Sequence, residues 1–167
     1  DLLRIEECEC ARAEDHGAVV AVVHSHPDQC PPAPSGKDRE ACDLHGLPWV
    51  ILGDCGTWET IYPAGVPFEG RAFCWGVNDC YALVRNWFQE MRGLTLPDFP
   101  RYPDFWLECD PFGDGLEPAG FECIEGLNPE PGDVLLFGIR SKGRTNHCAV
   151  YLGNGQMLHH LPGRLSL

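Results

Sequence analysis

The chain has 167 residues, 44% of them hydrophobic and 22% charged, a composition that suits one folded domain or two small ones and argues against disorder. Twenty-five acidic residues against twelve basic ones give a net charge of −13, which argues against a nucleic-acid partner because phosphate backbones require cations. No apolar run approaches the roughly twenty residues that span a bilayer, so we expect no membrane span. Because the chain begins at Asp1 with neither methionine nor leader segment, we expect a fragment or a processed product.

Ten cysteines are present, and no two of them form a Cys-x-x-Cys pair. A structural zinc site made of four thiolates usually contains such pairs, so the cysteines do not indicate one. The even count would also suit disulfides in a small secreted chain, which leaves the redox state open. We expect most of these cysteines to be reduced residues that pack in the core.

The first half of the chain predicts one helix and three strands. The apolar run Ala18–Val23 predicts a central strand that is buried on both faces. Ser35, with an acid three positions later, predicts the start of a helix that runs to about His45. Pro48–Gly53 and Thr57–Tyr62 then predict two strands joined by a hairpin turn.

The second half of the chain follows a predicted linker at residues 63–72, which are dense in turn formers. Over Asp79–Arg92 the apolar residues recur at helical spacing, with capping residues at both ends. Residues 97–118 are rich in proline, glycine and aromatic residues, which predicts an irregular, lid-like crossover with one short helix. Val134–Ile139 predicts a strand, and Asn146–Leu161 predicts two strands around a tight turn.

A first candidate site lies where the first predicted strand ends. His24 and His26 are two positions apart, so both imidazoles leave the same face of the strand. Asp38, in the first turn of the predicted helix, is a third candidate ligand, and Ser35 is placed to hydrogen-bond a metal-bound water or an oxyanion. This donor set suits Zn²⁺ with a fourth position open. The alternative is a polar strand end beside a plain capping box.

The order His24–Pro27, then a loop, then Ser35–Asp38 resembles the motif of the JAMM (MPN+) zinc metallopeptidases, which cleave isopeptide bonds. The resemblance implies that the two histidines and Asp38 are zinc ligands in a partial JAMM-like α/β domain over residues 1–62. It also implies a general-base glutamate on an upstream strand, and no acid before His24 is distant enough to match it. We therefore expect an N-terminally truncated domain that binds zinc without turning over a substrate.

A second candidate site combines a thiol with imidazoles. Cys80 follows Asp79 at the start of a predicted helix, where unpaired N–H groups and the helix dipole stabilise a thiolate. The adjacent carboxylate has the opposite effect, and the alternative is one more buried thiol. His147 opens a predicted strand and His159-His160 closes its hairpin partner, so imidazoles from distant positions meet. A thiol, an imidazole and an orienting polar group form the triad of cysteine peptidases in outline.

Five segments resemble, in this order, those of the NlpC/P60 cysteine peptidases: Phe73–Gly76, Asn78–Cys80, Pro131–Val134, Asn146–Gly155 and Leu158–His159. The resemblance implies that Cys80 is the nucleophile, that His147 is the base and that His159 orients the base. It implies an α+β fold with a papain-like domain over residues 73–167, in which the helix that carries the cysteine packs on an antiparallel sheet.

Two residues depart from the NlpC/P60 pattern. Phe73 stands where many members have a tyrosine whose hydroxyl assists the site, and Tyr81 follows the nucleophile where serine is common. We therefore expect oxyanion stabilisation to depend more on the backbone N–H groups of Cys80 and Tyr81.

The two halves together, with the closing segment Leu158–Ser166, resemble a family of siphophage tail assembly proteins. The resemblance spans nearly the whole chain and implies missing segments at both ends. It implies an assembly factor whose partners are tail-tip proteins and bacterial peptidoglycan stem peptides, with Zn²⁺ in the first half and no cofactor in the second. It places the protein in the host cytoplasm during assembly, then at the tail tip of the virion and at the cell wall. The alternatives are an inactive assembly protein and a zinc isopeptidase that processes a virion protein.

The register of the last hairpin decides between His159 and His160 as the orienting group. A two-residue turn at Asn154-Gly155 would pair Ala149 with His160, whereas a three-residue loop over Gly153–Gly155 would pair Ala149 with His159. Local turn chemistry suits both loops. The second register matches the spacing in NlpC/P60 peptidases, so we expect His159 to lie beside the base and His160 to pack behind the strand.

Overall fold

The computed structural model describes residues 12–124 and 128–167. The beginning of the predicted first domain, with Cys8 and Cys10, lies outside these described residues. In the part of the chain that is described, no helix is both long enough and apolar enough to cross a membrane.

The chain forms two compact units, the first ending at Val66 and the second beginning at Pro67. The predicted linker at residues 63–72 straddles this boundary. Its second half belongs to the second unit, because the backbone N–H of Arg71 donates to the Ser166 hydroxyl at 2.9 Å and the Arg71 carbonyl accepts from the Ser166 N–H at 3.1 Å.

In its described residues, the first unit contains a three-stranded sheet with a helix packed on it. Strands β1 (Val22–His26), β2 (Trp49–Gly53) and β3 (Trp58–Ile61) lie in the order β1-β2-β3, and helix α1 (Gly36–His45) connects the first two. β1 and β2 are parallel, as a helical crossover requires, whereas β2 and β3 form an antiparallel hairpin. The core of this unit contains Ala41, Cys42, Trp49, Ile51 and Ile61.

Helix α1 begins and ends where the sequence predicts. The Ser35 hydroxyl accepts from the N–H of Asp38 and the Asp38 carboxylate accepts from the N–H of Ser35, which completes a capping box. Gly46 ends the helix in the left-handed conformation, with φ of 64°. The hairpin of β2 and β3 also lies within its two predicted segments.

Strand β1 differs from its prediction. The apolar run Ala18–Val23 predicted the strand, but β1 covers Val22–His26. Within the described residues β1 pairs with β2 alone, and its side chains alternate between half-buried and exposed, with Val23 at 59% exposure. The prediction of a central, doubly buried strand is therefore wrong for the described sheet, whose central strand is β2. Pairing with β2 continues through His26, so both histidines lie on the strand.

Cys30 and Cys55 form a disulfide that was not predicted. The bond links the Pro-rich loop that follows β1, which includes residues 30–34, to the hairpin turn between β2 and β3. Hydrogen bonds support the same contact, because the N–H of Asp28 donates to the Asp54 carboxylate at 2.6 Å and the N–H of Asp54 donates to the Gln29 carbonyl at 3.2 Å. The other described cysteines are free thiols, as expected for most of the set. Of these, only Cys42, Cys80 and Cys148 are buried, so the expectation that most cysteines pack in the core is wrong for the described residues.

Replacing both disulfide cysteines by serine is expected to lower the free energy of unfolding of the first unit by about 3 kcal/mol, because the bond closes a long loop in the unfolded chain. Denaturant unfolding of the intact chain, followed through tryptophan fluorescence, measures the change. Cys109→Ser, which alters an exposed thiol of the second unit, should leave that transition in place. An unchanged transition in the double variant would show that hydrogen bonds alone hold the loop.

The second unit packs one long helix on an antiparallel sheet. Helix α2 (Cys80–Arg92) contacts a sheet of β4 (Val134–Phe137), β5 (His147–Gly153) and β6 (Gln156–His159), in which β5 is central. The core between helix and sheet includes Leu83, Val84, Trp87, Cys148, Val150 and Leu158. This is the predicted α+β arrangement, in which a helix that carries a cysteine packs on an antiparallel sheet.

Both ends of α2 agree with the sequence prediction. Asp79 is the N-cap, and its side chain accepts from the N–H of Ala82 at 2.9 Å. Gly93 ends the helix in the left-handed conformation, with φ of 66°.

The crossover between α2 and β4 is irregular, as predicted, but contains two short helices instead of one. A 3-10 helix covers Phe105–Leu107 and helix α3 covers Pro111–Gly115. The side chains of Phe105 and Phe112 are buried in the core of the second unit. The crossover is therefore anchored to the unit through its aromatic residues.

The hairpin of β5 and β6 combines features of the two predicted loops. A two-residue turn at Asn154-Gly155, with positive φ at both residues, joins the strands. A bulge at Leu152 then shifts the pairing by one residue, so that Ala149 faces His159. The expected register is confirmed, and a bulge rather than a longer loop produces it.

Candidate active site and candidate metal centre

The three predicted metal ligands converge beside the end of β1. Nε2 of His24 lies 3.1 Å from Nε2 of His26. The Asp38 carboxylate reaches His24 Nε2 through Oδ1 at 3.1 Å and His26 Nε2 through Oδ2 at 3.3 Å. One ligand atom from each residue lies within 4.8 Å of the other two. The structure thus brings together side chains from a strand and from the helix that follows it.

The capping box of α1 holds the carboxylate of this cluster. The Ser35 N–H donates to Asp38 Oδ2 at 2.7 Å, and the Ser35 hydroxyl accepts from the Asp38 N–H at 3.2 Å. Burial opposes ionisation of Asp38, but the hydrogen bonds from Ser35 and the nearby imidazoles of His24 and His26 hold its pKa below the usual range. The capping box and the ligand cluster therefore share one carboxylate instead of excluding each other.

Different contacts orient the two imidazoles. His26 Nδ1 lies 3.2 Å from the Gln29 side-chain oxygen, an acceptor, which assigns the proton to Nδ1 and leaves Nε2 for a ligand. The His24 ring packs edge to face on Trp49, and its Nδ1 is buried without a hydrogen-bond partner among the described residues. Burial lowers the pKa of His24 despite the opposing charge of Asp38, which favours the neutral imidazole that binds metals.

The donor set fits Zn²⁺. Two imidazoles and one carboxylate match a three-ligand site with an open fourth position, where bound zinc acts as a Lewis acid and lowers the pKa of water. Within the described residues, Asp38 is the one acid that joins the cluster. A second carboxylate, of the kind that serves as general base in such a site, is therefore missing from the described part of the cluster.

Cys80 is the first residue of α2 and is only 3% exposed. The neighbouring Cys148 thiol on β5, together with His147, lowers the pKa of Cys80 to about 6. Burial and the charge of Asp79 oppose this shift. Burial raises the pKa of Cys148, so this neighbour keeps its proton. These contacts favour the thiolate form of Cys80.

His147 and His159 face each other across β5 and β6. Nε2 of His147 lies 3.2 Å from Nδ1 of His159, and the rings meet at 80°. Burial and the neighbouring His147 lower the pKa of His159, so its ring is neutral at neutral pH. His160 turns away, because its Nε2 lies 3.2 Å from the Arg164 carbonyl and its ring packs on Phe73. The structure places His159, and not His160, beside the predicted base.

Two residues of this site were not predicted from the sequence. Cys148 is a buried strand residue, and its type alone does not distinguish a packing thiol from one that lowers the pKa of Cys80. Arg101 lies in the irregular crossover, and its Nε donates to both carboxylate oxygens of Asp79 at 3.0 and 2.8 Å. Since that segment has no periodicity, nothing in the sequence separates this buried arginine from a surface one.

Alkylation of the reduced, intact chain with iodoacetamide is expected to label Cys80 before the other thiols near pH 6. Burial raises the pKa of Cys42 to about 12 and also raises that of Cys74, so these thiols stay protonated. Peptide mass spectrometry over a pH series gives the midpoint. Cys148→Ala should move this midpoint to higher pH, because the thiol that lowers the pKa of Cys80 is lost. The matched Cys109→Ala should leave the midpoint unchanged. Uniform labelling of all thiols would contradict a lowered pKa for Cys80 and would show that it is a packing residue.

A buried cysteine at a helix start, beside paired imidazoles on an antiparallel sheet, is in outline the arrangement of the cysteine peptidases. The model of the NlpC/P60 family matches residues 70–167, and the chain belongs to this family. The model described as prokaryotic homologs of the JAB domain matches residues 2–63.

Two curated relatives match nearly the whole chain. The chain is 37% identical over 161 residues to tail tip assembly protein K of Escherichia phage N15, a match that covers 93% of this chain and 65% of that protein. It is 37% identical over 156 residues to tail tip assembly protein K of Escherichia phage lambda, covering 93% of this chain and 76% of that protein. The chain thus spans only part of each relative's length. No solved structure matches it.

Proposed function

We propose that the second unit is a cysteine peptidase that hydrolyses an amide bond in bacterial peptidoglycan stem peptides. The observation that carries the proposal is the convergence of the Cys80 thiolate with two hydrogen-bonded imidazoles, His147 and His159. Membership of the NlpC/P60 family supports a peptidase. The similarity of the five sequence segments to enzymes that cut stem peptides supports this substrate class.

In the proposed reaction, the Cys80 thiolate attacks the carbonyl carbon of the scissile amide and forms a tetrahedral oxyanion. The backbone N–H groups of Cys80 and Tyr81 lie in the first turn of α2, where a helix offers them no internal acceptor, so they can donate to the oxyanion. The Asp79 side chain accepts from the N–H of Ala82. The Tyr81 hydroxyl is engaged elsewhere, because it donates to the Pro97 carbonyl at 2.9 Å.

His147 handles the proton in both halves of the reaction. It takes the proton that Cys80 gives up on forming the thiolate and donates it to the leaving amine as the C–N bond breaks, which leaves a thioester on Cys80. It then accepts a proton from the water that attacks the thioester, and the thiolate departs as the acid product forms. His159 holds the His147 ring in place through the 3.2 Å hydrogen bond.

We infer that the protein serves in the assembly of a siphophage tail tip. The relatives in phages N15 and lambda carry the name tail tip assembly protein K, and both matches cover 93% of this chain. In this proposal it contacts tail-tip proteins in the host cytoplasm, remains at the tail tip and acts at the cell wall. His24, His26 and Asp38 would hold Zn²⁺ in the first unit without hydrolysis there, and the peptidase unit needs no cofactor.

Digestion of purified peptidoglycan by the intact chain, with mass spectrometry of the released fragments, tests the proposal. We expect cleavage of stem-peptide amides that is lost in Cys80→Ala and retained in Cys109→Ala and in the presence of a chelator. A chain that labels at Cys80 near pH 6 but releases no fragments would support an assembly protein without hydrolase activity. Loss of cleavage with the chelator would support the zinc isopeptidase instead.

A further inference from the structure

We propose that Arg101 acts on this reaction through Asp79, both by cancelling the carboxylate charge beside Cys80 and by fixing the cap of the helix that carries Cys80. Its catalytic consequence rests on the proposed function, whereas its effect on the thiol does not. Arg101 is a positioning residue in this proposal, because it acts through another side chain.

The guanidinium of Arg101 donates to acceptors on four residues. The side chains of Arg101 and Asp79 are both 0% exposed, and Nε donates to the two carboxylate oxygens of Asp79 at 3.0 and 2.8 Å. Nη1 donates to the Asp98 carboxylate and to the Phe99 carbonyl, each at 2.6 Å, and Nη2 donates to the Gly76 carbonyl at 3.3 Å. A side chain held by this many directed bonds has one position.

Aromatic rings complete the enclosure of Arg101. Its guanidinium carbon lies 5.0 Å from the ring centroids of both Tyr81 and Phe99, within the range of cation–π attraction. Tyr81 follows Cys80 in α2, so the arginine contacts the first turn of the helix on two sides, through the cap and through this ring.

Asp79 links Arg101 to the start of α2. Its Oδ1 accepts from the N–H of Ala82 at 2.9 Å, which caps the helix, and its Oδ2 accepts from the N–H of Gly76 at 2.7 Å, which closes the preceding turn. Because the helix begins at Cys80, the position of this carboxylate sets the direction of the first N–H groups. An arginine that fixes Asp79 therefore fixes the groups proposed to bind the oxyanion.

The negative charge of Asp79 also destabilises the thiolate form of Cys80. The titratable groups that face Cys80 are Asp79 from its own helix end and His147 and Cys148 from β5, and of these Asp79 disfavours the ionised thiol. Arg101 holds the opposite charge against the same carboxylate, and because both side chains are fully buried the two charges interact strongly. Without the arginine, a buried and uncompensated carboxylate would lie next to the nucleophile.

Iodoacetamide labelling of Cys80 in the intact chain, measured over a pH series, tests the proposal with three variants. We expect Arg101→Gln to slow labelling near pH 6 by about tenfold, the effect of one unit in the pKa of the thiol. Asp79→Asn should not slow it. The double variant Asp79→Asn with Arg101→Gln removes both charges and keeps an amide that can cap α2, so its rate should return to within about threefold of the wild type.

Arg85→Gln is the matched control, because the Arg85 guanidinium is also buried and donates to Asp98 and to the Leu96 carbonyl. Its labelling curve should coincide with that of the wild type. Recovery in the double variant identifies a charge effect, since a purely structural arginine would give losses that add. The rising limb of kcat/KM against pH should shift with the labelling curve in each variant.

A wild-type labelling curve in Arg101→Gln would overturn the proposal, as would a double variant that labels more slowly than Arg101→Gln. If Arg101→Gln does not fold, the labelling rate of the double variant alone tests the proposal. A folded double variant that labels about tenfold more slowly than the wild type would then overturn it. A wild-type chain that labels at Cys80 near pH 6 but does not cleave peptidoglycan refutes the peptidase function and leaves the Arg101 result intact.

Discussion

His147→Ala is expected to lower kcat/KM for stem-peptide hydrolysis by about 10⁴-fold, because both proton transfers pass through this imidazole. His159→Ala should cost less, about 10²-fold, since His159 acts by orienting His147 through one 3.2 Å hydrogen bond. In the wild type, kcat/KM should rise as the pH increases through about 6, where Cys80 loses its proton. Release of stem-peptide fragments, measured against substrate concentration and pH, gives these values.

His160→Ala is the control for the assignment of His159. The His160 side chain is 0% exposed and packs on Phe73 and against the Arg164 carbonyl, so its removal should lower the melting temperature and leave kcat per folded molecule unchanged. Thermal melting measured beside the kinetics separates the two effects. Full activity in His159→Ala, or equal losses of kcat in His159→Ala and His160→Ala, would contradict the assignment.

The helices could be predicted from the sequence because their end signals are local. The contacts that start and stop α1 and α2 join residues within a few positions of each other, as in the reciprocal bonds of Ser35 with Asp38. The candidate nucleophile follows from the same signals, because Cys80 comes directly after the cap Asp79. Residue type and helix position together therefore predict one member of the site.

The positions of the strands depend on their pairing partners, which the sequence pattern does not identify. The most apolar stretch, Ala18–Val23, predicted the first strand, whereas pairing with β2 places it over Val22–His26. In the last hairpin, turn residues alone suit either loop, and the bulge at Leu152 supplies the one-residue shift that puts His159 beside His147. Register was decided correctly only by the resemblance to NlpC/P60 peptidases.

The partners that tune the thiol are the part that sequence reasoning missed. Arg101 and Cys148 reach Cys80 or its cap from distant positions in the chain, and neither has a local signature. The Cys30–Cys55 disulfide could not be predicted for a related reason, because ten cysteines allow many pairings and no spacing selects one of them. These contacts exist only once the tertiary structure brings the residues together.

Zinc binding is expected to depend on the histidine pair of the first unit. The intact chain, loaded with Zn²⁺ and freed of excess metal, should retain about one ion, because two imidazoles and one carboxylate already converge. The double variant His24→Ala with His26→Ala should retain none, since a lone Asp38 carboxylate binds zinc weakly. Elemental analysis after gel filtration measures the zinc content.

His45→Ala is the matched control for this experiment, because His45 is a half-buried imidazole of the same unit that contacts Trp49 and lies outside the ligand cluster. Added zinc should raise the melting temperature of the first unit in the wild type and in His45→Ala but not in the double variant, a readout independent of hydrolysis. Zinc that persists in the double variant would instead belong to cysteine thiolates, and alkylation before loading would then remove it. Because the cluster shares no residue with the Cys80 site, the double variant should cleave peptidoglycan at the wild-type rate.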